Sequence, residues 1–241
     1  MNIALIIAGG SGTRTGNSVP KQFITVNEVP VIVYTMCNLQ KVSEIDRIVV
    51  SVANGWQSFV QVYAKQYGID KLSDIIEAGD TRHHTIYRSI RYLSDKYQQD
   101  SKILIVDANR PLIPTKVVQQ SIATSCQDEC TVALMPCYDT MYISRGAVAV
   151  EDQLDRSILY SGQSPECAIL SDLVNVYEFA NEHSIEDTTA VLYMACKKTV
   201  RMVKGSSKSF KITTQDDLDL FKALINSSKK NLEEGPYVTL H

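Results

Sequence analysis

Two cations lie in a loop of small residues near the amino terminus. Arg14 and Lys21 are seven positions apart in the segment GGSGTRTGNSVPKQF, residues 9–23, which follows an apolar run over 3–8. Glycines let backbone N–H groups approach an anion closely, and an Arg and a Lys can bind different phosphates of one polyphosphate. These residue types therefore predict a loop that holds phosphate.

Two familiar phosphate loops do not fit this spacing. The dinucleotide fingerprint needs two residues between its second and third glycines, but Gly12 and Gly16 are separated by three. A P-loop needs Lys and then Ser or Thr after its last glycine, whereas Asn17 follows Gly16. An ordinary glycine-rich turn with two solvated cations stays open as the alternative.

Two acidic residues follow later strand-like runs. Asp107 ends the apolar run KILIVD, where a carboxylate is a suitable oxygen ligand for Mg²⁺ beside phosphates; the alternative is a structural pair with Arg110. Asp80 follows Gly79 and could accept hydrogen bonds from a base or a ribose; the alternative is the N-cap of the next helix. The four histidines lack metal-ligand spacing and are interpreted as structural or surface residues.

Strands alternate with helices of 10 to 15 residues along the first half of the chain. This alternation predicts an α/β fold with a parallel sheet covered on both faces and with ligands at the carboxyl ends of the strands. The predicted strands cover 3–8, 46–53, 74–78, 101–106 and 131–136, and later 161–165, 199–203 and 208–212, before a closing helix over 214–226.

The alternation breaks at about 137–160, where short strand-like pieces follow each other without helices. Such a β arm is poorly stabilised in a monomer and could be buried in a dimer. We therefore predict a single domain over 1–241 with a dimerisation arm at about 137–160, and a homodimer.

Composition limits the remaining classes of function. The 241 residues carry a formal charge of −3 and no basic block, which argues against nucleic acid or an anionic membrane surface as a partner. The six cysteines lack Cys-x-x-Cys spacing, which is typical of free thiols in a reducing cytosol. Without a signal peptide or a run of ~18 apolar residues, a cytoplasmic protein is expected.

Taken together, these segments resemble the cytidylyltransferase family that includes the methylerythritol-phosphate and ribitol-5-phosphate enzymes. The matching segments run in the family's order over nearly the whole chain: AGGSGTR (8–14), PKQF (20–23), GDxRxxT (79–85), DAxRP (107–111), DT (139–140), GQSP (162–165) and KITT (211–214). The resemblance implies a Rossmann-like three-layer nucleotidyltransferase fold, GT-A-like, with a mostly parallel sheet and a protruding β arm.

The resemblance also implies roles for individual residues. The first loop would wrap the triphosphate of CTP, with Arg14, Lys21 and Lys211 as catalytic cations and Asp107 as the ligand of Mg²⁺. The nucleotide would be bound by Ala8, Gly9, Gly10, Ser11, Gly12, Thr13, Gly79, Asp80 and Thr85. The substrate phosphate would be bound by Arg110 and Ser164, together with Thr140 and Arg156 from the partner's arm.

Four positions depart from the family's pattern: Asn109, Glu166, Glu186 and Ser209. Glu166 and Glu186 bring negative charge close to the expected substrate phosphate, which is repulsive unless it is offset. The acceptor alcohol, or its pose, is therefore expected to differ from those of the two named enzymes.

The resemblance implies transfer of a cytidylyl group from CTP to a polyol phosphate, giving a CDP-polyol and pyrophosphate. Gly16-Asn17 and YSGQSP (160–165) are more similar to the ribitol-phosphate branch, as used in teichoic acid or capsule synthesis, and glycerol phosphate stays open. The alternatives are the methylerythritol-phosphate enzyme of isoprenoid synthesis and a nucleotide-binding paralogue that has lost catalysis.

Overall fold

The computed structural model describes residues 1–10 and 19–230. In chain order the elements are β1 (Asn2–Ala8), β2 (Thr25–Val26), β3 (Val29–Pro30), α1 (Val31–Gln40), β4 (Arg47–Val52), α2 (Gln57–Gln66), β5 (Leu72–Glu77), α3 (Arg82–Lys96), β6 (Lys102–Asp107), α4 (Thr115–Thr124), β7 (Glu129–Pro136), β8 (Met141–Ile143), β9 (Asp152–Leu154), β10 (Tyr160–Ile169), α5 (Leu170–Glu182), α6 (Thr189–Ala195), β11 (Thr199–Lys204) and α7 (Gln215–Lys230).

Seven strands form one sheet in the order β11-β7-β10-β6-β1-β4-β5. β10 is antiparallel to both of its neighbours, and the other six strands are parallel to one another. The carboxyl ends of six strands and the beginning of β10 therefore meet at one edge of the sheet. This confirms the predicted mostly parallel sheet.

Alternating apolar side chains give the sheet two buried faces. In β1, Ala4 and Ile6 belong to a core with α1, α2 and α4, whereas Ile3 and Leu5 belong to a second core with α3, α5 and α6. Successive strand residues point to opposite faces, so an uninterrupted apolar strand must be covered on both sides. The result is the predicted three-layer arrangement.

A separate two-stranded sheet, β8 paired with β9, occupies the segment in which the sequence predicts an arm. Eight large apolar side chains in and beside it, within residues 138–160, are exposed: Tyr138, Met141, Tyr142, Val148, Val150, Leu154, Ile158 and Tyr160. Apolar exposure concentrated on one small hairpin is typical of a surface that contacts another molecule.

Two local predictions are wrong. The segment 208–212 is not a strand: Ser207–Ser209 is a 3-10 turn, and the chain then continues without regular structure to α7. The N-cap of α3 is Thr81 and not Asp80, because the Thr81 hydroxyl accepts the N–H of His84. The predicted cap of the closing helix is confirmed, since Thr214 and Asp217 each accept the other's backbone N–H.

Candidate active site

Asp107 lies at the centre of a cluster of cations at the carboxyl edge of the sheet. Its carboxylate is within 3.1 Å of Lys211 Nζ, 3.3 Å of Arg110 Nε and 3.6 Å of Arg82 Nε. Burial would raise the pKa of this carboxyl, but Lys211, Arg82 and Arg110 outweigh it and hold the pKa well below its usual range. Asp107 is therefore ionised, and it brings three cations from different segments to one place.

The segment that carries Lys211 is fixed by side chains from other elements. Gln163 forms a two-hydrogen-bond pair with the backbone of Ser206, its Nε2 donating to the carbonyl and its Oε1 accepting the N–H, both at 3.0 Å. Asn109 Nδ2 donates to the carbonyl of Ile212 at 2.6 Å, and Asn109 O accepts the N–H of Ile212 at 2.9 Å. Asn109, a departure from the family's pattern, thus helps to place Lys211.

Arg110 and Ser164 are buried beside Asp107. Arg110 Nη1 donates to the carbonyl of Ser209, and the hydroxyl of Ser164 accepts the N–H of Asp107 at 3.1 Å. The pair with Arg110, the structural alternative for Asp107, is therefore present. Both side chains support the site from within, and their direct contact with a substrate stays a prediction.

Arg82 joins Asp107 to Glu166, with Arg82 Nη2 at 3.2 Å from Glu166 Oε2. Glu166 is buried, and its second oxygen accepts the N–H of Ala190 in the first turn of α6 at 2.9 Å. The carboxylate that the sequence marks as repulsive is therefore offset by a guanidinium and a helix amide. Glu186 is elsewhere, 3.6 Å from His84 Nε2 on the exposed side of α3.

Lys21 lies in a 3-10 turn, Lys21–Phe23, and its charge acts on Asp217 at the start of α7. Burial would raise the pKa of the Asp217 carboxyl, but backbone N–H groups of Thr214 and Thr213 and the charge of Lys21 lower it. This places the Lys21 ammonium near Asp217, six residues after Lys211. Two of the predicted catalytic cations thus come from neighbouring segments.

The loops after β1 and β5 are packed closely together. A Cβ at Gly9 would be 2.6 Å from Ala78 Cβ, and a Cβ at Gly79 would be 2.7 Å from His84 Cβ, so neither position has room for a side chain. The Thr85 hydroxyl accepts the N–H of Gly79 at 3.1 Å and fixes this turn. Asp80 is exposed at the start of α3, next to these predicted nucleotide-binding residues.

The other predicted residues are not joined to this cluster. Thr140 and Arg156 lie exposed on the arm, where Arg156 Nη1 donates to the carbonyl of Tyr138 at 2.6 Å. Within the described part of the chain, neither has a hydrogen bond or ion pair to Asp107 or Lys211. Ser11, Gly12, Thr13 and Arg14 lie outside the described residues.

The sequence pattern of the 2-C-methyl-D-erythritol 4-phosphate cytidylyltransferase family (IspD) matches residues 2–227. The chain belongs to this cytidylyltransferase family. A relative from Lacticaseibacillus paracasei named ribitol-5-phosphate cytidylyltransferase is 30% identical over 233 residues, covering 95% of this chain and 100% of its own. A protein of the same name from Lactiplantibacillus plantarum is 33% identical, covering 93% and 98%.

A solved 4-diphosphocytidyl-2C-methyl-D-erythritol synthase from Anaerococcus prevotii has the same fold as this cytidylyltransferase. It superposes with a TM-score of 0.78 at 19% identity, covering 94% of this chain and 96% of the other. The predicted α/β nucleotidyltransferase fold is thereby confirmed.

Sequence reasoning missed three residues that organise the cytidylyltransferase site. Arg82, Gln22 and Gln163 each belong to a segment that the sequence singles out, but none was given a role. Arg82 contacts two carboxylates, and Gln22 and Gln163 donate to backbone carbonyls of other loops. They could have been found from the sequence because they lie in the motif-bearing segments 79–85, 20–23 and 162–165.

Proposed function

We propose that this enzyme transfers a cytidylyl group from CTP to a polyol phosphate, ribitol 5-phosphate or a related polyol phosphate such as glycerol phosphate. The observation that carries the proposal is the Asp107 cluster, in which Lys211, Arg110 and Arg82 surround one ionised carboxylate at the ligand edge. Relatives with about 30% identity over nearly the whole chain carry the ribitol-5-phosphate name.

In the proposed reaction a phosphate oxygen of the polyol phosphate attacks the α-phosphorus of CTP. The bond from that phosphorus to the oxygen bridging to the β-phosphate breaks, and pyrophosphate leaves with the bond's electron pair. Two anions must approach each other, so cations aimed at them lower the barrier. In this proposal Lys211 binds the α-phosphate and the incoming phosphate, and Lys21 stabilises the pyrophosphate that leaves.

Mg²⁺ is the proposed metal, held by Asp107. Among residues 1–10 and 19–230, no group of three or more His, Cys, Asp or Glu side chains could hold an ion by itself. Mg²⁺ beside nucleotides is commonly bound by one or two carboxylates together with phosphate oxygens. A single carboxylate therefore fits an ion that arrives with the triphosphate, whose negative charge would offset the repulsion between the ion and the cations around Asp107.

A homodimer through the arm is proposed because the exposed apolar side chains are concentrated there. In this arrangement Thr140 and Arg156 bind the polyol phosphate in the partner's site. Mixing Arg156→Ala protein with Lys211→Ala protein tests it, since only the mixed dimer contains one intact site. Restored turnover in the mixture supports a role in trans, and no gain over the separate variants contradicts it.

A cytoplasmic location is also proposed. All six cysteines are free, and burial raises the pKa of Cys167 to about 12, as expected of an inert structural thiol. In the described part of the chain, no helix combines the length and apolarity required to cross a membrane.

The acceptor is tested by incubating the protein with CTP, Mg²⁺ and one polyol phosphate at a time while pyrophosphate release is followed. We expect turnover with ribitol 5-phosphate or glycerol phosphate. The family pattern carries the name of the methylerythritol-phosphate enzyme, so that substrate is included in the panel. Turnover with methylerythritol phosphate and none with the other two would overturn the proposed acceptor.

A further inference from the structure

The side chain of Gln22 is buried, with 3% of its surface exposed, and reaches from the turn of Lys21 to the end of β1. Its Nε2 donates to the carbonyl of Ala8 at 2.7 Å and to the carbonyl of Gly10 at 2.9 Å. A primary amide has two N–H donors, and both are used here. One side chain therefore fixes two carbonyl groups on either side of Gly9, where the chain leaves the sheet for the predicted phosphate loop.

The direction of these carbonyl groups matters because a loop that binds an anion must present N–H groups to it and keep carbonyl oxygens away. Gln22 engages the carbonyl oxygens of Ala8 and Gly10, so they are directed to its amide. On the other side Gly9 is confined, since a Cβ there would be 2.6 Å from Ala78 Cβ and 3.1 Å from Thr85 Oγ1. The chain at 8–10 is thus held from two sides.

The turn that carries Gln22 is itself rigid. The ring of Phe23 stacks on Trp56 with 4.0 Å between centroids and 14° between planes, and Phe23 N donates to Pro20 O at 2.8 Å. Aromatic pairs of this geometry contribute beyond the area they bury. Lys21 belongs to the same 3-10 turn, so the cation and the amide move together.

We infer that Gln22 is a positioning residue for the triphosphate of the nucleotide: by holding the carbonyl groups of Ala8 and Gly10, it keeps the oxygen atoms of residues 8 and 10 turned to its own amide and not to the phosphates. The inference rests on the proposed function for the identity of the nucleotide, CTP. Gln22 then affects the affinity for the phosphates of the nucleotide and not the affinity for its cytidine part. A purely structural Gln22 would stabilise the fold and leave ligand affinity unchanged.

The test compares Gln22→Met, which keeps the length and loses both donors, with the wild-type protein by calorimetry. We expect the Kd for CTP and the Kd for pyrophosphate to rise by the same factor, about tenfold or more, because the carbonyl groups of Ala8 and Gly10 lose their donors and are no longer kept from turning to the phosphates. The Kd for cytidine and the KM for the polyol phosphate should change less than twofold.

Trp56 supplies a second readout, since it is the only tryptophan of the chain and stacks on Phe23. Adding CTP should change its fluorescence, with a midpoint about tenfold higher in Gln22→Met. The matched control is Gln119→Met on α4, which removes a hydrogen bond to Glu44 and should leave the midpoint unchanged. Gln22→Asn, which keeps the amide, is used if Gln22→Met does not fold.

Three outcomes separate this inference from the proposed function. A lower Tm in Gln22→Met or Gln22→Asn with unchanged Kd for CTP and pyrophosphate would overturn the positioning role alone. Binding of CTP by the wild-type protein without pyrophosphate release from any polyol phosphate would overturn the proposed function alone. Equal weakening of cytidine and CTP would also contradict the inference, because it would place the effect of Gln22 on the base.

Discussion

Replacing Asp107 with Asn removes the counter-ion of three cations without changing the size of the side chain. At an effective dielectric constant of about 20, unit charges separated by the 3.1 Å of the Lys211 pair attract each other by about 5 kcal/mol before the cost of desolvation is subtracted. Breaking a buried ion pair by removing one partner usually costs about 3–5 kcal/mol. Because Asp107 is 7% exposed, we expect Asp107→Asn to lie in this range.

In a domain of this size each kcal/mol corresponds to about 2–4 °C in Tm, so the variant should unfold about 6–20 °C below the wild-type protein. Lys211 and Arg110, which lose their carboxylate partner, and Arg82, which keeps Glu166, should also bind phosphate groups better in the absence of metal. A tenfold gain in affinity for pyrophosphate would return about 1.4 kcal/mol, or about 3–6 °C. Ligand-free stability and pyrophosphate affinity should therefore change in opposite directions.

The assay is a thermal melt with and without pyrophosphate, in buffer without divalent ions. Asp100→Asn, at an exposed position just before β6, is the control and should match the wild-type protein. Turnover of Asp107→Asn should also fall by about 10²-fold or more. A Tm within about 2 °C of wild type and no added stabilisation by pyrophosphate would refute the argument that Asp107 is the shared counter-ion.

Three other outcomes can be measured. Lys21→Ala should lower the rate of pyrophosphate release by about 10²-fold, because it removes the positive charge that stabilises the leaving pyrophosphate. A rate like that of the wild type would remove Lys21 from the mechanism. Gly205→Ala should lower turnover, and stability by about 1–3 kcal/mol, since its Cβ would be 3.1 Å from Leu134 O and 2.3 Å from Gln163 Oε1, which would have to leave its hydrogen bond with Ser206. For Asp74, burial raises the pKa, but hydrogen bonds led by that from Lys96 lower it to about 2. This folded-state pKa lies below the unfolded value of about 3.9, so Asp74 stabilises the fold above pH ~4 and less as pH falls towards 2.

Matched variants make the last two outcomes specific. Gly146→Ala adds a Cβ that meets no described atom of its own subunit within 4 Å and should leave the stability of the subunit unchanged. Asp74→Asn should lose less stability than the wild-type protein between pH 4 and pH 2, as measured by urea unfolding. Parallel acid profiles of the two proteins would contradict the assigned pKa of Asp74.

The central layers of the fold could be predicted from the sequence because they depend on local patterns. The segments that form β1 and β6 are apolar at every central position, which is typical of strands buried on both faces. Asp107 is the last residue of β6, so its place at the carboxyl edge of the sheet could be predicted together with the strand. The cap of α7 was predictable for the same reason, since Thr214 and Asp217 are only three residues apart.

The segment around Lys211 could not be predicted in this way. Its apolar and polar residues alternate like those of a strand, but the backbone hydrogen bonds go to Gln163, Arg110 and Asn109, which are 43 to 103 residues away. A contact of that kind leaves no periodic signal. Arg82 was missed for a related reason, because its two carboxylate partners lie on strands that the sequence does not show to be neighbours.

β10 links the arm to the active site because it alone runs against the direction of the sheet. Tyr160 pairs with Pro136 at the base of the arm, and four residues later Ser164 accepts the N–H of Asp107. We expect a partner subunit that holds the arm in one orientation to restrain residues 160–164 of β10 as well. The position of the Asp107 carboxylate would then be restrained through Ser164. If so, linkage requires that a polyol phosphate strengthens subunit association by the same factor by which association strengthens its binding.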